Sequence, residues 1–255
     1  MFYTHAHIHD ARFDIDRKDV LERARAAGVT RILTVGCDLA DSARALETAR
    51  EFGLAASIGV HPHEAKDAPA GVAEALDALR ASGVATPIAV GEIGLDYYYA
   101  HSPREVQRDV FAAQLRYARE RGLPLIFHQR DAFDDFVAIL RAEFASPMRG
   151  VVHCFTGDAA QARILVDEFG LKLGIGGVVT FKTADALRDA VRGAGLAHIV
   201  LETACPYLAP VPHRGKRNEP AFMPATAARL AELFASDVEE IVTRTNANAD
   251  TLFGA

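Results

Sequence analysis

The sequence from residue 88 to residue 96 reads Ile88-Ala89-Val90-Gly91-Glu92-Ile93-Gly94-Leu95-Asp96. Such a nearly continuous apolar run is typical of a strand that is buried on both faces of a parallel sheet. Seven further runs have the same character. Together they predict eight strands, at residues 2–7, 31–37, 55–60, 88–95, 125–129, 150–154, 171–175 and 198–202.

Segments with helical periodicity separate these runs and follow the last one. The predicted helices lie at residues 17–27, 40–52, 72–81, 103–120, 132–144, 159–169, 184–192, 223–234 and 238–252. Glycines at 28, 53, 83, 122 and 170 stand at predicted helix ends, where a left-handed cap is favoured. Eight strands that alternate with helices predict a (β/α)8 TIM barrel, with an open doubly wound sheet as the alternative. We expect a single domain over residues 1–255, with 206–220 as a functional loop.

Composition excludes several classes of protein. The chain has 255 residues and a formal charge of −6, so bulk charge does not favour coating of nucleic acid. No apolar run approaches the roughly 20 residues that span a bilayer, and the N-terminus does not resemble a secretory signal. Three distant cysteines argue against a disulfide scaffold, so we expect a cytoplasmic protein.

Reactive side chains stand at the ends of four predicted strands. In a barrel the active groups lie at the carboxyl ends of the strands. There we find His5 and His7, which alternation points to the same side, and then Glu92, His128 and His153. Each histidine alone is more often a core residue, and Glu92 alone could pair with a buried arginine. Together, four imidazoles and a carboxylate exceed one tetrahedral ion with an open position, and they suit two ions that share a carboxylate.

Short motifs recur along the whole chain. They are Thr4-His5-Ala6-His7, Gly59-Val60-His61-Pro62-His63, Gly91-Glu92-Ile93-Gly94-Leu95-Asp96-Tyr97, His128-Gln129-Arg130-Asp131-Ala132, His153-Cys154-Phe155-Thr156-Gly157, Glu202-Thr203-Ala204-Cys205-Pro206-Tyr207-Leu208-Ala209-Pro210, His213-Arg214-Gly215-Lys216-Arg217-Asn218-Glu219-Pro220 and Asn246-Ala247-Asn248. With these motifs the sequence resembles the TatD family of metal-dependent deoxyribonucleases, among the amidohydrolase-like barrels. The resemblance covers essentially the whole chain.

The resemblance implies a distorted (β/α)8 TIM barrel of the metal-dependent hydrolase type that binds two divalent ions, Mg²⁺, Mn²⁺ or Zn²⁺. It implies that His5 and His7 hold one ion and that His128 and His153 hold the other. Glu92 is then a bridging ligand at the catalytic centre. The implied activity is hydrolysis of phosphodiesters, as a 3′→5′ exonuclease on single-stranded DNA.

One position departs from the family pattern. The family has aspartate where this chain has Ala204, and an alanine methyl group can neither bind a metal nor accept a proton. We therefore expect impaired activity and a weakened ion at His5 and His7. Three explanations stay open: a deliberate change, a natural weak or altered hydrolase, and compensation by Cys205 or Asp96.

Basic residues follow the predicted strands. Arg130 lies two residues after His128, and Arg214, Lys216 and Arg217 share the loop after the eighth strand. A solvated basic loop is the alternative, but guanidinium groups bind phosphate oxygens in pairs, and loops after strands seven and eight are common phosphate sites. We predict that these four residues bind substrate.

Three further residues are predicted substrate contacts. Tyr97 follows a metal-bearing strand and could stack on a base, or it could simply pack at the rim. His61 and His63 end the third strand, where they could bind phosphate, tune a metal ligand or hold a loop.

The expected partner is single-stranded DNA or another phosphodiester, with no membrane, and we expect a monomer. Two alternatives stay open at this stage. One is a metal-dependent hydrolase of an ester or amide bond, because this barrel serves many reactions. The other is an inactive nucleic-acid-binding relative, for which Ala204 is the support.

Overall fold

The computed structural model describes residues 1–144 and 148–254. Its strands form one sheet in which hydrogen-bonded neighbours follow chain order from β1 to β8. This order confirms the predicted distorted (β/α)8 TIM barrel and not the doubly wound sheet, whose strand order reverses. The strands are β1 (Phe2–Ala6), β2 (Arg31–Val35), β3 (Ala55–Ile58), β4 (Ala89–Asp96), β5 (Leu125–Arg130), β6 (Gly150–Val152), β7 (Lys172–Ile175) and β8 (Ile199–Leu201).

Helices follow each strand, as the periodicity predicts. They are α1 (Arg17–Ala26), α2 (Leu39–Phe52), α3 (Val72–Ala81), α4 (Arg104–Arg121), α5 (Phe133–Glu143), α6 (Ala159–Arg163), α7 (Asp185–Ala194), α8 (Met223–Phe234) and α9 (Val238–Phe253). All five glycines predicted at helix ends have positive φ, between +63° and +82°. Among helices built from the described residues, none combines the length and the apolar character needed to cross a membrane.

Two compact units make up the described chain. The first unit contains Met1–Leu33 and the chain from Cys154 onward, and the second unit contains Thr34–His153. In the first unit, the ring of Phe2 on β1 packs against Phe253 on α9, with ring centroids 5.9 Å apart. One domain over residues 1–255 stays a prediction, and residues 145–147 and 255 of that range lie outside the described residues.

An aromatic cluster forms part of the core of the second unit. The ring of Phe136 on α5 stacks on Phe111 of α4 at 5.3 Å and meets Phe127 of β5 edge-on at 5.4 Å. All three side chains are buried. Because burial of each ring removes a large apolar area from water, this cluster fixes α4 and α5 against β5.

Two buried glutamines of α4 fix the ends of β3 and β4. The side chain of Gln107 accepts from the backbone N–H of Asp96 at 2.8 Å and donates to its carbonyl at 3.0 Å. Gln114 makes the same pair of bonds with Val60, at 2.8 and 3.0 Å. These amides satisfy backbone groups that strand pairing leaves open just where the site residues begin.

β4 and β5 approach each other unusually closely. Their register shifts between Val90 and Ile93, and Gly94 then pairs with His128. A Cβ atom at position 94 would lie 1.9 Å from the carbonyl oxygen of His128, and Gly94 has φ +142°. Only glycine fits at this position. The close contact fixes where His128 lies relative to β4.

We therefore expect Gly94→Ala to destabilise the protein by at least about 2 kcal/mol, from overpacking and an unfavourable φ. Urea unfolding measures the change. Gly193→Ala is the matched control, because a Cβ there meets nothing within 4 Å, and it should stabilise α7 by about 0.5–1 kcal/mol. Equal unfolding midpoints for both variants would show that β4 can move away from β5 without cost.

Candidate metal centre

His5 and His7 converge at the end of β1 in the first unit. Their Nε2 atoms lie 3.3 Å apart, and the rings meet edge to face. The backbone N–H of His7 donates to the carbonyl of Cys205 at 2.9 Å, which fixes the chain beyond the strand. Two nitrogens at about 2.1 Å from one tetrahedral ion lie about 3.4 Å apart, so this pair has the spacing of two ligands of one cation.

In the second unit, His128 at the end of β5 lies between two carboxylates. Its Nδ1 is 2.8 Å from Oε1 of Glu92, and its Nε2 is 2.9 Å from Oδ2 of Asp96. Burial lowers the pKa of His128, but the hydrogen bonds with Asp96 and Glu92 outweigh burial and raise it to about 9. In metal sites, a carboxylate commonly orients an imidazole ligand in this way. Here Asp96 contacts Nε2 of His128, and Glu92 contacts Nδ1.

Asp96 is fully buried and holds more than His128. Its Oδ2 is 2.9 Å from Nε2 of His63, and its Oδ1 accepts from the backbone N–H groups of Tyr98 and Tyr99 at 3.0 and 2.9 Å. Burial raises the pKa of Asp96, but the hydrogen bonds with His128 and His63 outweigh it and hold the pKa well below its usual value. The charge of Asp96 is therefore compensated from several sides, as a buried carboxylate requires.

His61 and His63 lie beside these carboxylates. His61 Nε2 is 3.6 Å from Oε1 of Glu92, and burial lowers the pKa of His61 to about 4. The imidazoles of His61, His63 and His128 each offer a nitrogen within 4.8 Å of the others. A low pKa keeps His61 neutral, and a neutral imidazole is a good ligand for a divalent cation.

His153 directly follows β6. Its backbone N–H donates to the carbonyl of Phe127 at 2.8 Å, so His153 stands beside His128 at the carboxyl edge of neighbouring strands. Cys154 then donates its N–H to Oε1 of Glu202 at 2.5 Å. Position 174 must be glycine to leave room for that carboxylate, because a Cβ there would lie 2.2 Å from Glu202 Oε2.

Ala204 is buried, with 5% of its surface exposed, and it has φ +54°. Its carbonyl accepts from the N–H of Tyr207 at 2.9 Å, which closes a turn. Aspartate and asparagine adopt this left-handed conformation more readily than alanine. The backbone at position 204 is therefore suited to the aspartate that the family pattern has there.

The predicted phosphate-binding residues differ in their partners. Arg217 is held by Asp16 at 2.5 and 2.9 Å, so its guanidinium already has a carboxylate. Arg130, Arg214 and Lys216 are exposed, and within residues 1–144 and 148–254 no ion pair involves them. Phosphate binding by all four stays a prediction, and the three unpaired cations are its better candidates.

Tyr97 lies in a different environment from the two tyrosines that follow it. Its hydroxyl donates to Asp135 at 2.6 Å, and the guanidinium of Arg104 lies 4.3 Å from its ring. Base stacking by Tyr97 stays a prediction, although both ends of its side chain have partners in the protein. Tyr98 and Tyr99 are exposed.

The sequence points to Asp96 only as a possible compensation for Ala204, and it does not single out Glu202 as a site residue. Asp96 lies four residues after Glu92 on one strand, so period-two alternation places both carboxylates on the same face. Glu202 follows β8 directly, the position at which other strands carry their ligands. The buried Gln107 of α4 could not be found in this way, because nothing in a helical pattern marks a polar residue that faces the core.

Ser102 has a role that the local sequence does not indicate. A serine before Pro103 predicts an N-cap of the following helix. In the structure α4 begins at Arg104, and the Ser102 hydroxyl instead accepts from the N–H of Lys66 at 3.1 Å and donates to the carbonyl of His63 at 2.7 Å. Ser102 therefore fixes the His63 segment and does not cap α4.

Comparison with known proteins gives consistent matches over the full length. The model of the TatD related DNase family matches residues 2–254. An uncharacterized metal-dependent hydrolase, YabD of Bacillus subtilis, is 41% identical over 99% of this chain and 98% of its own length. The protein named 3′-5′ ssDNA/RNA exonuclease TatD of Erwinia amylovora is 36% identical over 100% of both chains.

A solved structure shows the same fold. YJJV, a TatD homologue from Escherichia coli K12, superposes with a TM-score of 0.93 at 31% identity and covers 100% of this chain and 98% of its own. The similarity therefore extends through both compact units.

We expect Asp96→Asn to weaken binding of a divalent cation about 10- to 100-fold, because the amide removes the charge that orients His128. Titration calorimetry with Mn²⁺ or Zn²⁺ measures the affinity. Asp135→Asn is the control, since Asp135 holds Tyr97 and not a histidine. Unchanged affinity in Asp96→Asn would assign Asp96 to the backbone of residues 98 and 99 alone.

Proposed function

Because this chain belongs to the TatD-related DNase family of metal-dependent hydrolases, we propose that it hydrolyses phosphodiester bonds of single-stranded nucleic acid from the 3′ end. The relative from Erwinia amylovora carries that activity in its name. The observation that carries the proposal is the convergence of the His5 and His7 nitrogens, 3.3 Å apart, at the carboxyl end of β1. This spacing fits a divalent cation, and two-metal sites in barrels of this type are hydrolytic.

The proposed ligands are those that the resemblance implies. His5 and His7 would hold one ion, His128 and His153 would hold the other, and Glu92 would contribute its carboxylate. When bound, such ions would polarise a phosphoryl oxygen and lower the pKa of the attacking water. The protein's own contribution is orientation, above all through Asp96, which fixes the ring of His128 at 2.9 Å.

The exposed cations supply the preference for phosphate. Arg214 and Lys216 lie on the loop after β8 and have no carboxylate partner among the described residues. In a chain with a net charge of −6, two unpaired cations on one loop favour an anionic substrate. The guanidinium of Arg214 lies 4.0 Å from the centre of the Phe181 ring, which leaves its N–H groups available to oxygen.

A second candidate is a weakened or inactive relative that binds nucleic acid without turning it over. Ala204 favours it, because the position that holds a carboxylate in the family has only a methyl group here. Both candidates predict oligonucleotide binding, and they differ in the rate of cleavage.

Restoring the carboxylate separates them. We expect Ala204→Asp to raise the rate of hydrolysis of a labelled single-stranded oligonucleotide at least about 10-fold, the lower part of the range for a positioned general base. Ala204→Asn is the matched control, because asparagine also suits φ +54° but cannot take a proton. Equal rates in the three proteins contradict our account of position 204, and oligonucleotide bound but never cleaved favours the inactive relative.

Metal stoichiometry gives an independent test. We expect the unaltered chain to bind one divalent ion tightly and a second weakly, and Ala204→Asp to bind two tightly, because the restored carboxylate completes the His5/His7 site. Inductively coupled plasma mass spectrometry counts the bound ions, and titration calorimetry measures their affinities. His128→Ala should abolish the tight ion of the unaltered chain, whereas His5→Ala should leave it in place. The reverse pattern would mean that His5 and His7 bind the tight ion and that His128 and His153 bind the weak one.

A further inference from the structure

Tyr98, Tyr99 and Arg130 form an exposed patch at the carboxyl ends of β4 and β5, here called the aromatic patch. The guanidinium carbon of Arg130 lies 3.9 Å from the ring centre of Tyr98 and 4.7 Å from that of Tyr99. Tyr98 keeps 57% of its surface exposed, and Tyr99 keeps 50%. Solvent-exposed tyrosines beside an arginine are the side chains that stack on the bases of single strands.

Residues of the candidate site hold the aromatic patch in place. The N–H groups of Tyr98 and Tyr99 donate to Oδ1 of Asp96, whose other oxygen holds His63 and His128. The ring of His63 meets Tyr99 edge to face, with centroids 5.4 Å apart. A base on the patch therefore lies beside histidines that contact the carboxylates of the site.

Charge also points to a nucleotide. Arg130 is exposed, and across the described parts of the chain it makes no ion pair that would occupy its N–H groups. A guanidinium over an aromatic ring keeps its edge free for phosphate oxygens. Tyr97 offers less surface than Tyr98 and Tyr99, because its side chain is only partly exposed and its hydroxyl donates to Asp135.

We propose that the aromatic patch is a nucleotide subsite: the ring of Tyr98 stacks on one base of a single strand, the ring of Tyr99, which is perpendicular to that of Tyr98, contacts the edge of the same base, and Arg130 binds a phosphate next to that base. This inference rests on the proposed function, and it deepens it by naming the residues that distinguish a base-bearing strand from a bare phosphodiester.

Two short single-stranded oligonucleotides that differ only in their bases test the subsite. One carries adenine throughout, and the other is abasic. The double variant Tyr98→Leu/Tyr99→Leu should raise KM for the adenine strand about 10-fold with kcat unchanged, and leave KM for the abasic strand unaltered. Tyr98→Phe/Tyr99→Phe keeps the rings and should behave like the unaltered protein.

Arg130→Gln should raise KM for both strands, because phosphate is common to them. Arg80→Gln, an exposed arginine on α3, controls for loss of charge and should change neither. A purely structural role for the tyrosines would alter kcat, or KM for both strands alike, and would overturn the stacking subsite. Equal KM values for the leucine variant and the unaltered protein on the adenine strand would overturn it as well.

The proposed function can fail separately. If the unaltered protein and Ala204→Asp cleave neither strand, the nuclease proposal is wrong, and fluorescence anisotropy with labelled strands then decides the subsite. Tighter binding of the adenine strand that is lost in the leucine variant and kept in the phenylalanine variant supports it. Equal affinity for the two strands contradicts it.

Discussion

The buried carboxylate of Asp96 is the group on which the geometry of the second unit depends. Its two oxygens are shared between the imidazoles of His63 and His128 and the backbone N–H groups of Tyr98 and Tyr99. Gln107 of α4 holds the backbone of Asp96 in turn. A buried charge that is satisfied from so many sides ties the imidazole of His128, a strand end and an exposed loop into one rigid set, since none of them can move without leaving an unpaired buried group.

In each unit, taken by itself, a glycine leaves room for a polar group. Gly94 allows β4 to reach the carbonyl of His128, and Gly174 leaves space for the carboxylate of Glu202. In both cases a missing side chain places a polar group where a regular strand would place a methyl. A side chain at either position would therefore displace the polar group that lies against it.

The sequence was sufficient for the order of the strands and α-helices and for most of their bounds, because runs such as 88–95 carry no polar interruption except Glu92. The helix predicted at 159–169 differs, since it is α-helical only over Ala159–Arg163 and continues as a π-helix over Ile164–Glu168. The sequence also placed His5 and His7 on one side of β1, since alternation along a strand is a strict rule. The sequence did not predict which side chains pair with one another. Asp16 binds Arg217, Asp135 binds Tyr97, and Ser102 holds the His63 segment. Each of these pairs joins residues far apart in the chain, and the periodicity of a single sequence carries no information on such pairings.

The turn at Ala204 has a consequence for how the chain can change over time. Its left-handed backbone and its hydrogen bond to Tyr207 are already those that an acidic residue accepts. Two of the four alanine codons differ from an aspartate codon at a single base, and the surrounding loop needs no rebuilding to accept the carboxylate. A gene with either of those codons keeps the acidic form one base change away from selection.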